Sequence, residues 1–330
     1  MSDVGKRLVV GYRGDGSDRP DDLPLPPRTA PLLNRWRLRK HWRYVGFFSA
    51  DHLVCAARVH VGPVAQEFWG VWDRDGRVLH EHTRLRAGRV HLPPGRVRVA
   101  DRGAELDLVL DEDPSTAFEV VTPVGRAWTW TRKQLVPARG TFRLEGRKRR
   151  LEGHALVDDN DGYHPRLTRW WWSGGTAVVD GGRTVSWSVI VGLNDTLPDV
   201  ENTLWVDGVP RPLGPVVFAP DLSWVRFADG RELRFHAEAE RAKVVDLLVI
   251  RSAYRQPFGT VTGTLPGGLV VERAWGVMEQ HRALWRAARR VRPARRARGR
   301  SGTRRRSRRC RCSSRPWRGP RPAAPPSRGT

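Results

Sequence analysis

The chain has 330 residues and a formal net charge of +24, enough length for one large or two medium domains with a buried core. Most of that charge is local, because 18 arginines and no acidic residue fall within 286–330, leaving +6 for the other 285 residues. The body is therefore only mildly basic, and its apolar runs, such as VSWSVIVGL (185–193), are far short of the ~20 residues a membrane helix needs, so no membrane span is expected.

The N-terminus carries no apolar signal core, and Cys55 is the one cysteine of the body, so no disulfide framework is readable. Both features predict a protein of a reducing, cytoplasmic compartment. Fifteen Trp against four Tyr and nine Phe point to broad aromatic walls, since each indole buries on the order of 200 Å² and needs a partner for its N–H.

Residues 1–30, rich in Pro, Gly, Asp and Arg, read as an irregular leader. From about 36 to 278 the pattern is repeatedly that of strands. ELDLVL (105–110), AWTWTRKQLV (127–136) and TVSWSVIV (184–191) alternate or run apolar for strand lengths. LSWVRF (222–227), ELRFHA (232–237) and VVDLLVI (244–250) do the same. Turn signals separate the runs: DRDG (73–76), PPG (93–95), VDGG (179–182), VDGVP (206–210) and ADG (228–230). Strands spaced by roughly 8–12 residues with little helix between them predict an all-β fold of antiparallel sandwiches or barrels. One short amphipathic helix is expected near the C-terminal end, over 279–291, where EQHRALWRAARRV sets acids before bases.

Residues 287–330 hold almost only Arg, Pro, Ala, Gly, Ser and Cys, cannot bury enough apolar surface to fold, and are expected to be a disordered tail. One reading is an electrostatic arm for nucleic acid. The other is GC-rich DNA translated out of frame, and the abrupt change of composition favours it.

The richest stretch is DDNDGYHPRLTRWWWSGG (158–175). Its first eight residues read as a loop by their Asp, Asn, Gly and Pro content, which puts Asp161, Tyr163, His164 and Arg166 near a barrel mouth. If 167–172 is a strand, Trp170 and Trp172 face one way and Trp171 the other, so one side can be a cavity wall and the other a packed layer. Asp159 or Asp161 as an acid, His164 as its partner and Tyr163 as a hydrogen-bond donor would supply acid–base chemistry. The plain alternative is a loop whose carboxylates cap backbone N–H groups while His and Arg face water.

Three further groups carry weaker signals. GLNDTLPDVENTLWVDG (192–208) sets Asn194 and Asp195 against Glu201 and Asn202, either beside the first loop or as a polar hairpin connection. AWTWTRK (127–133) alternates, so Lys133 lines a cavity if its face points inward and is ordinary surface if it points outward. His80 and His82 share a strand face without a CxxC or HExxH spacing, and no metal site is assigned to them. There is no GxxxxGK[ST], GxGxxG or GxSxG motif, which makes nucleotide-dependent and α/β-hydrolase functions poor fits.

Taken in order, KHWRYVGFFSADHLVCAARVHVG, WTRK, DDNDGYHPRLTRWWWSGG, GLNDTLPDVENTLWVDG, YRQPFGTVTGTLPGG and GVMEQHRALW resemble the DUF2804 family, over about residues 33–285. Val200 departs from that family's pattern, which has serine before the acid of VENTLW. The sheet pattern resembles lipocalin-related double-barrel proteins, a group with carotenoid hydratase-like members. The resemblance implies two calycin-like antiparallel β-barrels packed side by side, a leader over 1–30, a first barrel over 31–140 and a second over 141–286. It transfers no activity, since fold does not imply function.

The first expectation for function is a protein that binds an apolar or amphipathic small molecule (isoprenoid, acyl chain or polyketide) in a Trp-lined cavity. Lys133, Arg166, Trp170, Trp172, Asn194 and Glu201 are its candidate ligand-binding residues. The alternative is a cofactor-independent hydratase, isomerase or cyclase acting on an alkene through Asp159, Asp161, Tyr163 and His164. A third is nucleic-acid binding through the arginine tail.

Overall fold

The computed structural model describes residues 9–195, 200–246 and 250–285, and these are almost wholly extended. In chain order the first strands are β1 (Tyr12–Gly14), β2 (Leu33–Asn34), β3 (Arg37–Leu38), β4 (Lys40–Phe48), β5 (His52–Val61), β6 (Val64–Asp73) and β7 (Val78–Arg84). They continue with β8 (Val90–His91), β9 (Arg96–Asp101), β10 (Ala104–Leu110), β11 (Phe118–Val124), β12 (Ala127–Leu144) and β13 (Arg147–Gly162). β2 and β3 form a small hairpin of their own, and the rest make one antiparallel sheet in the order β7-β6-β5-β4-β13-β12-β10-β9-β8. β11 pairs with β12, β1 pairs with β11, and β8 comes back against β5 and β6, rolling the sheet toward closure.

The second sheet holds β14 (Leu167–Val179), β15 (Arg183–Val191), β16 (Thr203–Val206), β17 (Val209–Pro212), β18 (Val216–Phe218), β19 (Trp224–Phe227), β20 (Glu232–Asp246), β21 (Ile250–Leu265) and β22 (Leu269–Trp285). Its order is β17-β16-β15-β14-β22-β21-β20-β19-β18, with β18 returning against β15. Among the described residues only Pro114–Thr116 and Asp180–Gly182 form helical turns, and no helix is long and apolar enough to cross a membrane.

Alternation explains the strands. β10 buries Ala104, Leu106, Leu108 and Leu110 while Glu105 and Val109 face out, the period of two that a half-buried strand needs. Leu106, Leu108, Leu151, Ala155 and Val157 help fill the first barrel, and Val185, Trp187, Leu233 and Val261 help fill the second. A third cluster lies between the sheets and takes Phe48, Leu53 and Leu156 from the first and Trp172, Trp205 and Phe258 from the second. β13 and β14 are therefore covered on both faces. At about 1.5–3 kcal/mol for each large apolar side chain removed from water, this seam is a main reason the sheets pack side by side.

The structure corrects several expectations. Residues 279–285 of the expected helix are the end of β22, with β14 on one side and β21 on the other. Two ladders satisfy the backbone there, so tertiary pairing overrides the helical pattern; 286–291 lie outside the described residues, as does the whole arginine tail. DDND (158–161) is strand rather than loop, because β13 runs to Gly162 between β4 and β12. VVDLLVI is not one strand: 244–246 end β20 and Ile250 begins β21. The chain leaves the first sheet at Gly162 and enters the second at Leu167, so the expected break at residue 140 falls inside the β12–β13 hairpin. The leader is irregular from 15 to 30 but contributes β1, and its Leu25 and Ala30 are buried beside Trp128 and Tyr163.

Candidate functional site: a chamber between two sheets

Alternation along β13 decides what each acid can reach. Asp158 and Asn160 share the face of Leu156, toward the second sheet, whereas Asp159 and Asp161 share the face of Val157, toward the mouth of the first barrel. On the Asp158 side lies a chamber of about 360 Å³ between the sheets. Its walls include Trp42, Phe68, Trp170, Trp172, Ile190 and Leu193, and strands of both sheets contribute. On the other side a vestibule of about 1190 Å³ opens at the barrel mouth. The vestibule's charges neutralise one another: Arg39 Nε donates to Asp161 Oδ1 at 2.7 Å, Arg43 pairs with Asp159 at 2.8 Å, and Arg19 pairs with Glu119 at 3.1 Å. A concave, mostly apolar cleft with placed polar groups is the usual form of a small-molecule site, and the chamber is such a cleft, with several ionisable side chains set into its aromatic walls.

Behind one wall sits a buried ion cluster. Lys133 Nζ lies 2.8 Å from Glu201 Oε1, 3.1 Å from Asp158 Oδ2 and 3.0 Å from Ser188 Oγ. Its three donors thus meet three acceptors. Ser188 Oγ also accepts from Trp172 Nε1 at 3.0 Å, tying the cluster to the chamber wall. Glu201 Oε2 accepts from Asn194 Nδ2 at 2.8 Å, and Asn194 is fixed in turn by Thr129 and Thr131. Burial pushes Asp158 up to about 7, with Lys133 pulling it down and Glu201 adding to the rise. Burial works against the Lys133 ammonium, but Asp158 and Glu201 outweigh it and hold its pKa above the usual lysine value.

A second polar group faces the chamber from the other sheet. Glu279 accepts from Trp170 Nε1 at 2.7 Å, Tyr254 Oη at 3.1 Å and Gln256 Nε2 at 3.2 Å. Burial raises its pKa, and the bonds from Trp170 and Tyr254 partly offset this. Arg241 lies over the faces of Phe68 and Tyr254, 4.4 and 5.5 Å from their centroids, and is held by Glu81 at 2.7 Å. Gly70 makes room for it, since a Cβ there would sit 2.9 Å from Arg241 Cδ.

The third polar end is cationic. Lys40 Nζ lies over the Trp285 ring at 4.9 Å, and burial, helped by Arg37, lowers its pKa to about 7. His164 packs on Trp42 with ring centroids 4.9 Å apart, and neither ring nitrogen has a hydrogen-bond partner among the described residues. Burial and then Lys40 hold it well below the ordinary histidine range. His281, bonded to Ser252 Oγ at 2.9 Å, is lowered to about 3 by the same two causes.

The structure therefore divides the residues picked from the sequence. His164, Trp170, Trp172 and Glu201 line the chamber, and Lys133 stands directly behind it. Trp171 turns to the second barrel, under Arg169. Asp159 and Asp161 are across the strand, committed to arginines, so neither pairs with His164. Tyr163 is packed on Trp128 and donates to Pro31 O at 2.7 Å. Arg166 donates to Trp285 O at 2.6 Å, bracing the rim, and Asn194 acts through Glu201. His82 pairs with Asp101 and His80 packs on Phe142; among the described residues no three metal-ligating side chains converge. Sequence reasoning missed Asp158, Tyr44, Arg241 and Glu279 as chamber residues. For Asp158 the signal was present, because counting by two from the apolar Leu156 places it on the seam face.

The family description "Domain of unknown function (DUF2804)" matches residues 89–285. No curated protein matches the chain. Among solved structures it is similar to an AttH-like protein from Nitrosomonas europaea, with 14% identity over 78% of this chain and 97% of that one and a TM-score of 0.42. It is similar also to kievitone hydratase from Nectria haematococca, with 10% identity, 73% and 88% coverage and a TM-score of 0.46. A third is CghA, with 12% identity, 76% and 88% coverage and a TM-score of 0.36. These likenesses concern the fold alone.

Proposed function

The chain belongs to the DUF2804 family, and since membership brings no activity with it we propose a function from the chamber itself: binding of an apolar or amphipathic small molecule between the two sheets. The observation that carries this reading is the cleft of about 360 Å³ walled by Trp42, Trp170, Trp172, Phe68 and Ile190. At ~25 cal/mol per Å², a ligand that buries a few hundred Å² of apolar surface against such walls gains several kcal/mol before its entropic costs. Lys40 at one end and the Glu279 carboxyl at another then orient whatever polar groups the ligand has.

A second reading, a cofactor-independent enzyme in the same chamber, is favoured by one further observation. Two carboxyls on the chamber wall, Asp158 and Glu279, are held by burial at pKa values above those of free carboxylates. Burial moves both toward the range in which acid–base catalysts work, and it brings Asp158 to about 7.

The binding reading is tested by organic extraction and mass spectrometry of the purified full chain, with tryptophan quenching by retinol and palmitate. Saturable quenching is expected, and Val59→Phe, which projects a ring from the chamber wall into the void, should abolish it without unfolding the protein. A folded protein that yields no extractable compound and is quenched by neither probe would falsify the reading.

A further inference from the structure

A pocket that only binds has no need of a buried carboxyl–ammonium–carboxylate cluster, which costs desolvation and contributes little net stability. Within that cluster both carboxyls line the chamber, and Asp158 is the more open of the two. Its side chain keeps 15% exposure, against 1% for Lys133 and 3% for Glu201. Lys133 engages one Asp158 oxygen, and no described side chain donates to the other. Directly opposite Asp158 in the β4–β13 register stands Tyr44, which also lines the chamber. The Tyr44 hydroxyl accepts from Gln256 Nε2 at 3.1 Å, and its own O–H has no acceptor among the described residues. Cross-strand neighbours on one face have Cβ atoms about 5 Å apart. The wall therefore presents one unused acceptor on a carboxyl and one unused hydroxyl donor, carried by neighbouring strands.

We infer that Asp158 is a catalytic acid–base residue that moves a proton between two carbons of an apolar unsaturated ketone, with the Tyr44 hydroxyl holding the carbonyl oxygen. The inference rests on the chamber being the ligand site. The Asp158 carboxylate takes a proton from a carbon conjugated with the carbonyl, and the C–H electron pair enters the π system. The carbonyl oxygen becomes an enolate oxygen that accepts from Tyr44. The carboxyl, which keeps 15% exposure and exchanges its proton with solvent before it donates, then returns a proton to the far carbon of the conjugated system, and the double bond shifts. Nothing is oxidised or reduced, and no water or second reactant is consumed.

The ketone follows from acidity. A carboxylate cannot take a proton from an unactivated hydrocarbon, whereas conjugation with a carbonyl brings a C–H within reach of a base tuned by its site. Asp158, raised by burial to about 7, is matched to both halves of that shuttle. Lys133 stays behind it as the fixed positive charge that stabilises the carboxylate between steps, which makes Lys133 a positioning residue.

The test uses the full chain and α-ionone, an isoprenoid ketone whose ring double bond can migrate into conjugation to give β-ionone. Binding is read by tryptophan quenching, and proton transfer by conversion and by deuterium uptake from D₂O. Wild type should bind α-ionone and convert it with deuterium incorporated. Asp158→Asn should lose about 10²–10⁴-fold in turnover with quenching unchanged, and Tyr44→Phe should lower kcat more than it changes KM. Bound α-ionone that is neither converted nor deuterated in wild type overturns the inference and leaves the binding reading standing. Turnover that survives in a folded Asp158→Asn overturns the residue assignment. If α-ionone fails to quench while retinol or palmitate does, the ketone class is wrong although the chamber is not. If none of the three quenches, both readings fall together.

Discussion

Lys133 satisfies two carboxylates and a serine with its three ammonium protons, all out of water, with 1% of its side chain exposed. Lys133→Met keeps the length and volume of the side chain but leaves Asp158 and Glu201 facing one another without a cation. Removing one partner of a buried charge group costs on the order of 3–5 kcal/mol, because the remaining charge is stranded. The variant should lose that much near pH 8 by urea denaturation. It should lose less near pH 5, where a stranded carboxyl can take up a proton instead. Stability within about 0.5 kcal/mol of wild type at both values would mean that the cluster is solvated, contrary to its burial. Glu201→Gln in the Lys133→Met background should recover part of the loss, since it removes one of the two stranded charges.

Between β13 and the second sheet the chain has to turn sharply, and Gly162 is the residue that permits it. Its φ is +137°, a region that residues with a side chain rarely adopt, and a Cβ there would lie 2.4 Å from Trp128 O. Gly162→Ala should therefore destabilise by about 1–3 kcal/mol from backbone strain alone, with the steric conflict added. Hydrogen exchange should show the opening confined to the β12–β13 end near Trp128 and Gly162, and a variant with wild-type protection there would contradict the account. The same element shows what was legible in the sequence. WWW could be divided correctly because a strand alternates, and Trp170 and Trp172 do line one wall while Trp171 turns away. DDND could not be placed correctly from local preference, because Asp and Asn are poor strand formers. Their partners, Lys133 on β12, Arg43 on β4 and Arg39 just before it, come from other parts of the chain. β22 was hidden for a related reason: acids before bases is a helical pattern, and only the flanking β14 and β21 make it a strand.

At the scale of the whole molecule the all-β class was legible from strand spacing, but the chamber was not, since it exists only where the two sheets meet. Lys133 illustrates the limit: its face was readable, whereas whether that face pointed inward depended on Glu201 and Ser188, 68 and 55 residues away. This placement of ionisable groups at the seam makes stability depend on pH with two opposing slopes. His281, lowered to about 3, and His164, also depressed, are neutral in the folded chain, while unfolded imidazoles bind protons below about 6.5. The unfolded state then holds more protons, so these histidines leave stability intact above about pH 6.5 and remove it progressively as pH falls toward 3. Asp158 acts in the other direction. Its carboxyl is protonated in the folded chain up to about 7 but ionised in the unfolded chain from 3.8, so its contribution weakens stability as pH rises through that window. Wild type should accordingly show a shallow decline of its urea midpoint between about pH 7 and pH 5. Asp158→Asn should make that decline steeper by removing the compensating slope, and His281→Gln should flatten it by removing one of the groups responsible. If Asp158→Asn instead flattens the decline, its carboxyl is ionised throughout the folded state, and neither the raised Asp158 nor the proton shuttle built on it can stand.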